Sequence, residues 1–340
     1  MFEFDTEIKY EALNYATLMN VLEATEHKLE PLFIEASKYF PIHVSMLEPG
    51  ILEQYAQFFQ IDPWMLKREY EKAYQAFLTL RETDEIIKRE GRDYPPLLAQ
   101  TEQAPRFLYI RGNKSLLYEK RTVALVGSRM ASEVSCDNTR RLAKSLGQNG
   151  ITVVSGLAKG IDVNAHRAAL DCGYNTIAVI GTNLNQYYPS ENSQVQKRIE
   201  ESGLIVSQFS PANKTKRWFF PLRNGVMSGL SLATVIMEAG ETSGALKQAD
   251  FALKQGRQVF IPEKALHMET ISWPRKYVKR GAIVVNTPTD VLRALADNKI
   301  FNVGEHKPAE QITMADFFKR VIDDQTDTRG QWLEPVMIGR

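Results

Sequence analysis

Four short loops, each rich in small residues, contain the side chains best suited to bind an anion. The loops follow apolar, β-branched runs and begin at Gly127, Ser155, Gly181 and Gly240. Glycine lets the backbone approach an anion closely, and a helix that starts in such a loop offers unpaired N–H groups. Arg129 and Lys159 add positive charge to two of the loops. The four loops together therefore predict an anion site. None contains the GxGxxG or Walker A sequence of an ordinary dinucleotide or nucleoside-triphosphate site.

Two segments combine basic and aromatic residues. The first basic segment is residues 213–224, NKTKRWFFPLRN, and the second is residues 273–281, WPRKYVKRG. Basic side chains can follow a phosphate backbone while aromatic rings stack on bases. In the second segment, core aromatics with a solvated basic rim are an equally good interpretation. The first segment is favoured as a nucleic-acid contact, because residues 221–224 open a helix whose N-terminus would add donors.

Catalytic groups are scarce in this sequence. None of its five histidines stands at metal-ligand spacing from a cysteine or a carboxylate. Asp162 and His166 lie one helical turn apart, and we interpret Asp162 as a brace for the start of that helix rather than as half of a catalytic pair. We therefore predict no catalytic residue, no metal and no cofactor.

The pattern of the elements that would hold these loops indicates an α/β fold. From about residue 105, eight apolar β-rich runs alternate with amphipathic helical stretches. This alternation predicts βαβ units and a mostly parallel, doubly wound sheet, in which ligands bind at the carboxyl ends of the strands. We predict a small helical domain over residues 1–85, an extended Rossmann-like domain over 86–296 and a C-terminal tail of unassigned fold over 297–340. The charged stretch ETDEIIKREGRDYPP is interpreted as a hinge between the first two.

Composition narrows the class of protein. The chain has 340 residues, of which 44% are hydrophobic and 24% charged, as in ordinary globular proteins. Its net charge of +1 means that any anion site depends on local clustering. Two unpaired cysteines, an acidic start without a secretory pattern, and no apolar run of about 18 residues predict a cytoplasmic protein without a membrane partner.

The motifs, in this order, resemble the DprA/Smf family of DNA-processing proteins. The matching stretches lie between residues 94 and 285 and include VALVGSR, VVSGLAKGIDVNAH, NTIAVIGT, FPLRNGVMSGLS, EAGETSGAL and GRQVFIP. The resemblance implies an extended Rossmann-like fold that binds single-stranded DNA, forms homodimers and loads the recombinase RecA during natural transformation. Members of the family are not established enzymes. This chain has Gln208 where the family usually has glutamate.

The resemblance also implies roles for particular residues. Arg129, Lys159 and the Arg223-Asn224 pair would contact the DNA backbone, while glycines and Ser155 would shape the pocket. Together with the basic and small residues noted above, the predicted DNA- or phosphate-binding residues are Gly127, Ser128, Arg129, Ser155, Gly156, Lys159, Gly160, Lys214, Lys216, Arg217, Phe220, Arg223, Asn224, Ser243 and Gly244.

Two other functions stay open at this point. One is an enzyme that acts on a small nucleotide, similar to the LOG-type phosphoribohydrolases, with Glu238 or Glu241 in acid–base chemistry. The loop at 238–244 lacks the paired glycine of the LOG-type turn, which weakens this alternative. The other is a nucleotide-sensing, defence-associated module that uses the N-terminal helices for partner contacts.

Overall fold

A nine-stranded sheet forms the centre of the molecule, which is described here for residues 2–297 in a computed structural model. The strands are β1 (Glu85–Lys88), β2 (Phe107–Gly112), β3 (Thr122–Gly127), β4 (Thr152–Ser155), β5 (Thr176–Val179), β6 (Leu204–Ser207), β7 (Ala233–Glu238), β8 (Gln258–Pro262) and β9 (Ile283–Val285). The helices are α1 (Glu7–Val21), α2 (Glu26–Ala36), α3 (Ile51–Phe59), α4 (Pro63–Phe77), α5 (Pro96–Ala99), α6 (Glu133–Gln148), α7 (Ile161–Asp171), α8 (Ser193–Ser202), α9 (Phe219–Gly229), α10 (Gly244–Lys254), α11 (Glu263–Leu266), α12 (Trp273–Lys279) and α13 (Pro288–Asp297).

The strand order is β1-β2-β6-β5-β4-β3-β7-β8-β9. All neighbours from β6 to β9 pair in parallel, whereas β1 pairs antiparallel with β2 and β2 antiparallel with β6. Successive strands run outward from β3 in one direction through β4 to β6, and in the other through β7 to β9. This reversal is the topological switch point of a doubly wound sheet, where a crevice opens at the carboxyl ends of the strands. The predicted α/β, Rossmann-like fold is confirmed.

The interpretation of residues 82–96 as a hinge is wrong for residues 85–88. Residues 85–88, EIIK, form strand β1, which pairs with β2 through the register Glu85↔Ile110 to Lys88↔Phe107. Ile86 and Ile87 are buried. A run of four residues flanked by charges is too short to show the alternation that identifies a strand in a sequence. These residues form a strand because they pair with the free edge of β2.

The N-terminal helices share a hydrophobic core with one face of the sheet. Leu13, Phe33 and Phe77 from the helices belong to the same buried cluster as Tyr109 and Ile205 from β2 and β6. A buried ion-pair network reinforces the contact. Its members are Glu11, Glu30, Lys88, Arg89 and Arg106. Because the cluster crosses residue 85, the proposed domain boundary at that residue stays a prediction.

Two kinds of feature are absent from the described residues. Within residues 2–297, no helix combines the length and the apolar character needed to cross a bilayer. The same residues hold no group of three or more histidine, cysteine or acidic side chains placed to bind a metal ion. The predicted C-terminal tail lies outside the described residues, apart from Asp297 at the end of α13.

Candidate nucleic-acid interface

A crevice of about 450 Å³ opens at the carboxyl ends of β3 and β7, at the switch point of the sheet. Its walls come from the loop after β3, the start of α9 and the loop that leads into α10. Of the predicted site residues, those that line it are Gly127, Ser128, Arg129, Phe220, Arg223, Asn224, Ser243 and Gly244. The loops that follow β3 and β7 meet there because the carboxyl ends of parallel strands lie at one edge of a sheet.

The loop after β3 is held by β7. The register of the β3–β7 pair shifts between Val126 and Gly127, and Ser128 N then donates to Glu238 O at 2.7 Å. Ser132 caps α6 and donates its hydroxyl to the Glu238 carboxylate at 2.6 Å. This anchoring leaves the Arg129 side chain exposed at the crevice. No side-chain hydrogen bond or ion pair holds it among the described residues, so its guanidinium is available to an anion.

The N-terminus of α10 faces the same crevice. Ser243 caps the helix by accepting from Ala245 N at 3.3 Å, and positions 240 and 244 have open space where a side chain would stand. Lys247 also lines the crevice and is not among the residues predicted from the sequence. Its signal was its position, because a lysine in the first turn of a helix adds to the positive end of the helix dipole.

The turn after β4 is braced rather than open. The Asp162 carboxylate accepts from Gly156 N at 3.2 Å and Ala158 N at 3.4 Å, so the predicted bracing role is confirmed. Gly160 has φ of +72°, and a Cβ at this position would lie 2.2 Å from Ser128 O. Only glycine fits such a close, left-handed approach, and it locks this turn against the loop after β3.

Arg223 departs from the expected surface role. It is only 5% exposed, and its Nη1 donates to Gly156 O at 2.5 Å and to Val179 O. Burial lowers the pKa of Arg223 to about 10, although Asp162 opposes this shift, so the guanidinium stays positive at neutral pH. The guanidinium therefore ties α9 to the ends of β4 and β5. It contributes positive charge at the wall of the crevice, and a direct contact with phosphate stays a prediction.

Three other predicted residues of the 155–160 turn have partners within the fold, and their role in binding DNA stays a prediction. Ser155 is fully buried and donates to Leu125 O at 2.6 Å, so its hydroxyl joins two strands. A side chain would not fit at Gly156, because its Cβ would lie 2.1 Å from Nη1 of Arg223. Lys159 lies outside the crevice and pairs with Glu191 at 2.5 Å. Long-range packing therefore explains small residues that local sequence had linked to an anion.

The first basic segment borders the crevice. Lys214, Lys216 and Arg217 are exposed on the approach to α9, which begins at Phe219. No ion pair joins any of the three to an acid among the described residues. Phe220, in the first turn of α9, lines the crevice and contacts the exposed ring of Tyr188, with 5.1 Å between ring centroids. Positive charge and an accessible aromatic ring thus lie side by side.

The candidate acid–base groups are occupied. Although burial opposes ionisation, hydrogen bonds from Ser132 and Ser135 hold the pKa of Glu238 below its ordinary value. Hydrogen bonds from Ser272 do the same for the pKa of Glu241. Burial, with the nearby charge of Arg223, lowers the pKa of His166 to about 3, so this imidazole is neutral and a weak base. The arrangement suits binding of an anion better than proton transfer.

The fold and the crevice together define a Rossmann-like protein with a crevice that suits an anion and has a basic and aromatic border. The chain belongs to the family of DNA recombination-mediator protein A, whose model matches residues 85–296. The chain is 34% identical to DNA processing protein DprA of Streptococcus pneumoniae over 236 residues, which are 69% of this chain and 79% of the relative. It is 30% identical to the DprA of Bacillus subtilis over 246 residues, which are 71% and 83% of the two chains.

Solved structures agree with this assignment. The crystal structure of DprA from Streptococcus pneumoniae superposes with a TM-score of 0.65 at 27% identity, over 84% of this chain and 95% of that one. DprA from Helicobacter pylori, whose single-stranded DNA binding mode has been described, gives a TM-score of 0.57 at 25% identity, over 63% and 96%. The resemblance inferred from the motifs is confirmed.

Proposed function

We propose that this protein binds single-stranded DNA across the crevice and the first basic segment, and that it serves DNA processing and recombination. One observation carries the proposal: Arg129, Lys247 and the N-terminus of α10 converge on one crevice. Asp162 is the one acid among the described lining residues, and backbone N–H groups already occupy its carboxylate. The site is thus electrostatically matched to a phosphate. The single-stranded DNA binding of the Helicobacter pylori relative supports the same ligand.

The border of the crevice favours a single strand over a duplex. Phe220 offers its ring next to exposed Lys216 and Arg217. An unpaired base can stack on such a ring while its phosphate meets the cations, whereas a duplex keeps its bases stacked inside. Binding should therefore weaken steeply with salt and depend little on overall sequence.

A titration of fluorescently labelled single-stranded and duplex 20-mers, followed by anisotropy, tests the proposal. We expect the single strand to bind more tightly, and Arg129→Ala to weaken it by about tenfold. Arg275→Ala, which removes an exposed arginine on α12, is the matched control and should leave affinity within about twofold. Failure of the wild-type protein to bind a single strand at low salt would refute the proposal.

The remaining functional roles follow from the family. We propose that the protein catalyses no reaction, that it pairs as a homodimer, that it works in the cytoplasm and that it promotes loading of RecA on the bound strand. A strand-exchange assay with RecA and a competing single-strand-binding protein tests loading. Sedimentation tests the dimer. Release of base from nucleoside monophosphates, abolished by Glu238→Gln, would instead establish an enzyme.

A further inference from the structure

A second cavity, of about 230 Å³, lies on the other side of the start of α9 from the crevice. It opens between the N-terminal helices and the sheet, with walls from α1, α2, β2, α9 and the loop after β6. None of the residues predicted to bind DNA lines it. Trp218 lines it, however, and directly follows Lys216 and Arg217 of the first basic segment. The cavity mouth is therefore adjacent to the proposed path of a DNA strand.

The walls of this cavity are strongly aromatic. Six of its aromatic lining residues are Tyr15, Phe107, Tyr109, Phe209, Trp218 and Phe219. Phe209 and Phe219 stack on each other with centroids 3.8 Å apart, and Trp218 meets Phe219 edge to face at 4.6 Å. Trp218 is half-buried, and Lys216 Nζ lies 5.8 Å from its ring centroid. A flat, aromatic ligand with a nearby negative charge suits this combination.

The buried side-chain atoms of the cavity wall that lack a hydrogen-bond partner among the described residues are acceptors. The guanidinium N–H groups of Arg89 and Arg106 already donate to Ala104 O and to the carboxylates of Glu11 and Glu30. Glu30 Oε2 and Gln208 Oε1 are buried with no hydrogen-bond partner among the described residues. Glu26 also lines the cavity, with one carboxylate oxygen accepting from Arg106 N. Buried acceptors without donors are costly, so a ligand that supplies N–H groups would relieve them.

We propose that this cavity binds a nucleobase that carries an amino group (adenine, cytosine or guanine) in preference to thymine or uracil. An amino base brings two donor hydrogens to the oxygens of Glu26, Glu30 and Gln208. Thymine instead presents two carbonyl oxygens and a single N–H, and its carbonyls would face acceptors. The base belongs either to a bound strand, in which case the inference rests on the proposed function, or to a free nucleotide whose phosphate meets Lys216.

The preference depends on the protonation state of Glu26. Burial raises the pKa of Glu26 to about 7, and the N–H of Arg106 opposes the shift while Glu30 adds to it. The other charged groups that face this carboxyl are Arg89 and the Arg106 guanidinium. The carboxylate offers only acceptors, whereas in the neutral acid the oxygen that does not accept from Arg106 N carries an O–H donor that a thymine carbonyl can accept. Discrimination should therefore be largest near pH 8 and smaller near pH 6.

Homopolymers of deoxycytidine and thymidine test the proposal, because they differ in the amino group at the same ring size. We expect the cytidine 20-mer to bind about five- to tenfold more tightly at pH 8, with quenching of tryptophan fluorescence. Trp218→Ala should abolish both the preference and the quenching, and Trp218→Phe should keep the preference. Trp64→Ala removes an exposed indole on α4 and is the matched control that should change neither.

A second variant tests hydrogen bonding directly. Glu26→Gln keeps the shape of the side chain but gives it an N–H donor, so affinity for the thymidine 20-mer should rise and the preference should fall about threefold or more. A merely structural role for Glu26 would alter both homopolymers equally. Equal affinities of the wild-type protein for the two homopolymers, or a preference that survives Trp218→Ala, would overturn the proposal.

Calorimetry with dCMP and dTMP separates the two sources of the base. Binding of dCMP alone, with no strand bound at low salt, would support the cavity as a nucleotide site and refute the proposed function. Strand discrimination without dCMP binding would assign the base to the bound strand. Strand binding without any discrimination would leave the proposed function standing and refute the cavity proposal.

Discussion

The two basic segments are alike in composition and unlike in their surroundings. In the second, Trp273 and Tyr277 are buried, and the Trp273 indole donates to Ala239 O at 3.0 Å. Two of its cations face acids: Arg280 pairs with Asp250 at 2.6 Å and Lys276 lies 3.6 Å from Glu241. In the first segment Lys214, Lys216 and Arg217 are exposed without acidic partners among the described residues, whereas its fourth cation, Arg223, is buried. The aromatic rings of this segment line two cavities.

The difference shows what a basic, aromatic stretch requires before it can bind nucleic acid. Some basic side chains must remain without acidic partners in the folded protein, and aromatic rings must stay accessible to bases. Asp250 on α10 and Glu241 in the preceding loop face two of the four cations of the second segment. Among the described residues, no acid pairs with Lys214, Lys216 or Arg217 of the first. The interpretation of the second segment as core aromatics with a basic rim is therefore the one that the contacts favour.

The largest expected effect concerns the two tryptophans. Trp273→Ala should lower the free energy of unfolding by about 3–5 kcal/mol, because it empties a fully enclosed site and removes the bond to Ala239 O. Trp218→Ala removes a half-buried ring and should cost about 1 kcal/mol. Urea denaturation of both variants measures the contrast. Similar losses would mean that the two rings are equally part of the core.

The next effect concerns DNA affinity. Lys216→Ala combined with Arg217→Ala should weaken binding of a single-stranded 20-mer by about tenfold or more, and should lower the slope of log affinity against log salt by about 1.4. The matched pair is Lys276→Ala with Arg280→Ala, whose charges already face acids. We expect that pair to change affinity by about twofold at most. An equal loss for the two pairs would contradict the contrast between the segments.

A smaller effect concerns the ion pair within the second segment. Arg280→Ala should lower the free energy of unfolding by about 0.2–1 kcal/mol, since both partners are partly exposed and water screens their attraction. A double-mutant cycle with Asp250→Ala isolates the pair from the hydrogen bond that Tyr277 also donates to Asp250. The coupling should shrink at high salt, and a salt-independent coupling would point to packing instead.

The smallest effect extends the contrast to Lys159, a cation that already has an acidic partner. Glu191→Gln removes that acid, so Lys159 becomes free to attract a phosphate. We expect affinity for a single-stranded 20-mer to rise by about two- to threefold, as befits an exposed pair. The rise should vanish in the double variant that also carries Lys159→Ala. An unchanged affinity would place Lys159 away from the strand.

The sequence was a good guide wherever local pattern governs structure. All eight apolar runs from 107 to 285 form strands, and the loops after β3 and β7 meet at the predicted edge. It was a poor guide where a residue far away in the sequence determines the local structure. Residues 85–88 become a strand only by pairing with β2, and Ser155 turns its hydroxyl towards Leu125. No periodicity within either stretch encodes those partners.

By itself, the sequence determined the kind of element along most of residues 105–285, the family and the edge of the sheet where an anion can bind. These depend on the two-residue and 3.6-residue periods and on short motifs, which are local properties. Only the tertiary structure decided which charges remain available. Burial and acids from other elements commit Arg223, Lys159 and Arg280, while Arg129, Lys214, Lys216 and Arg217 stay exposed. Opposite charges attract through space, so acids that are distant in the sequence determine which cations are compensated.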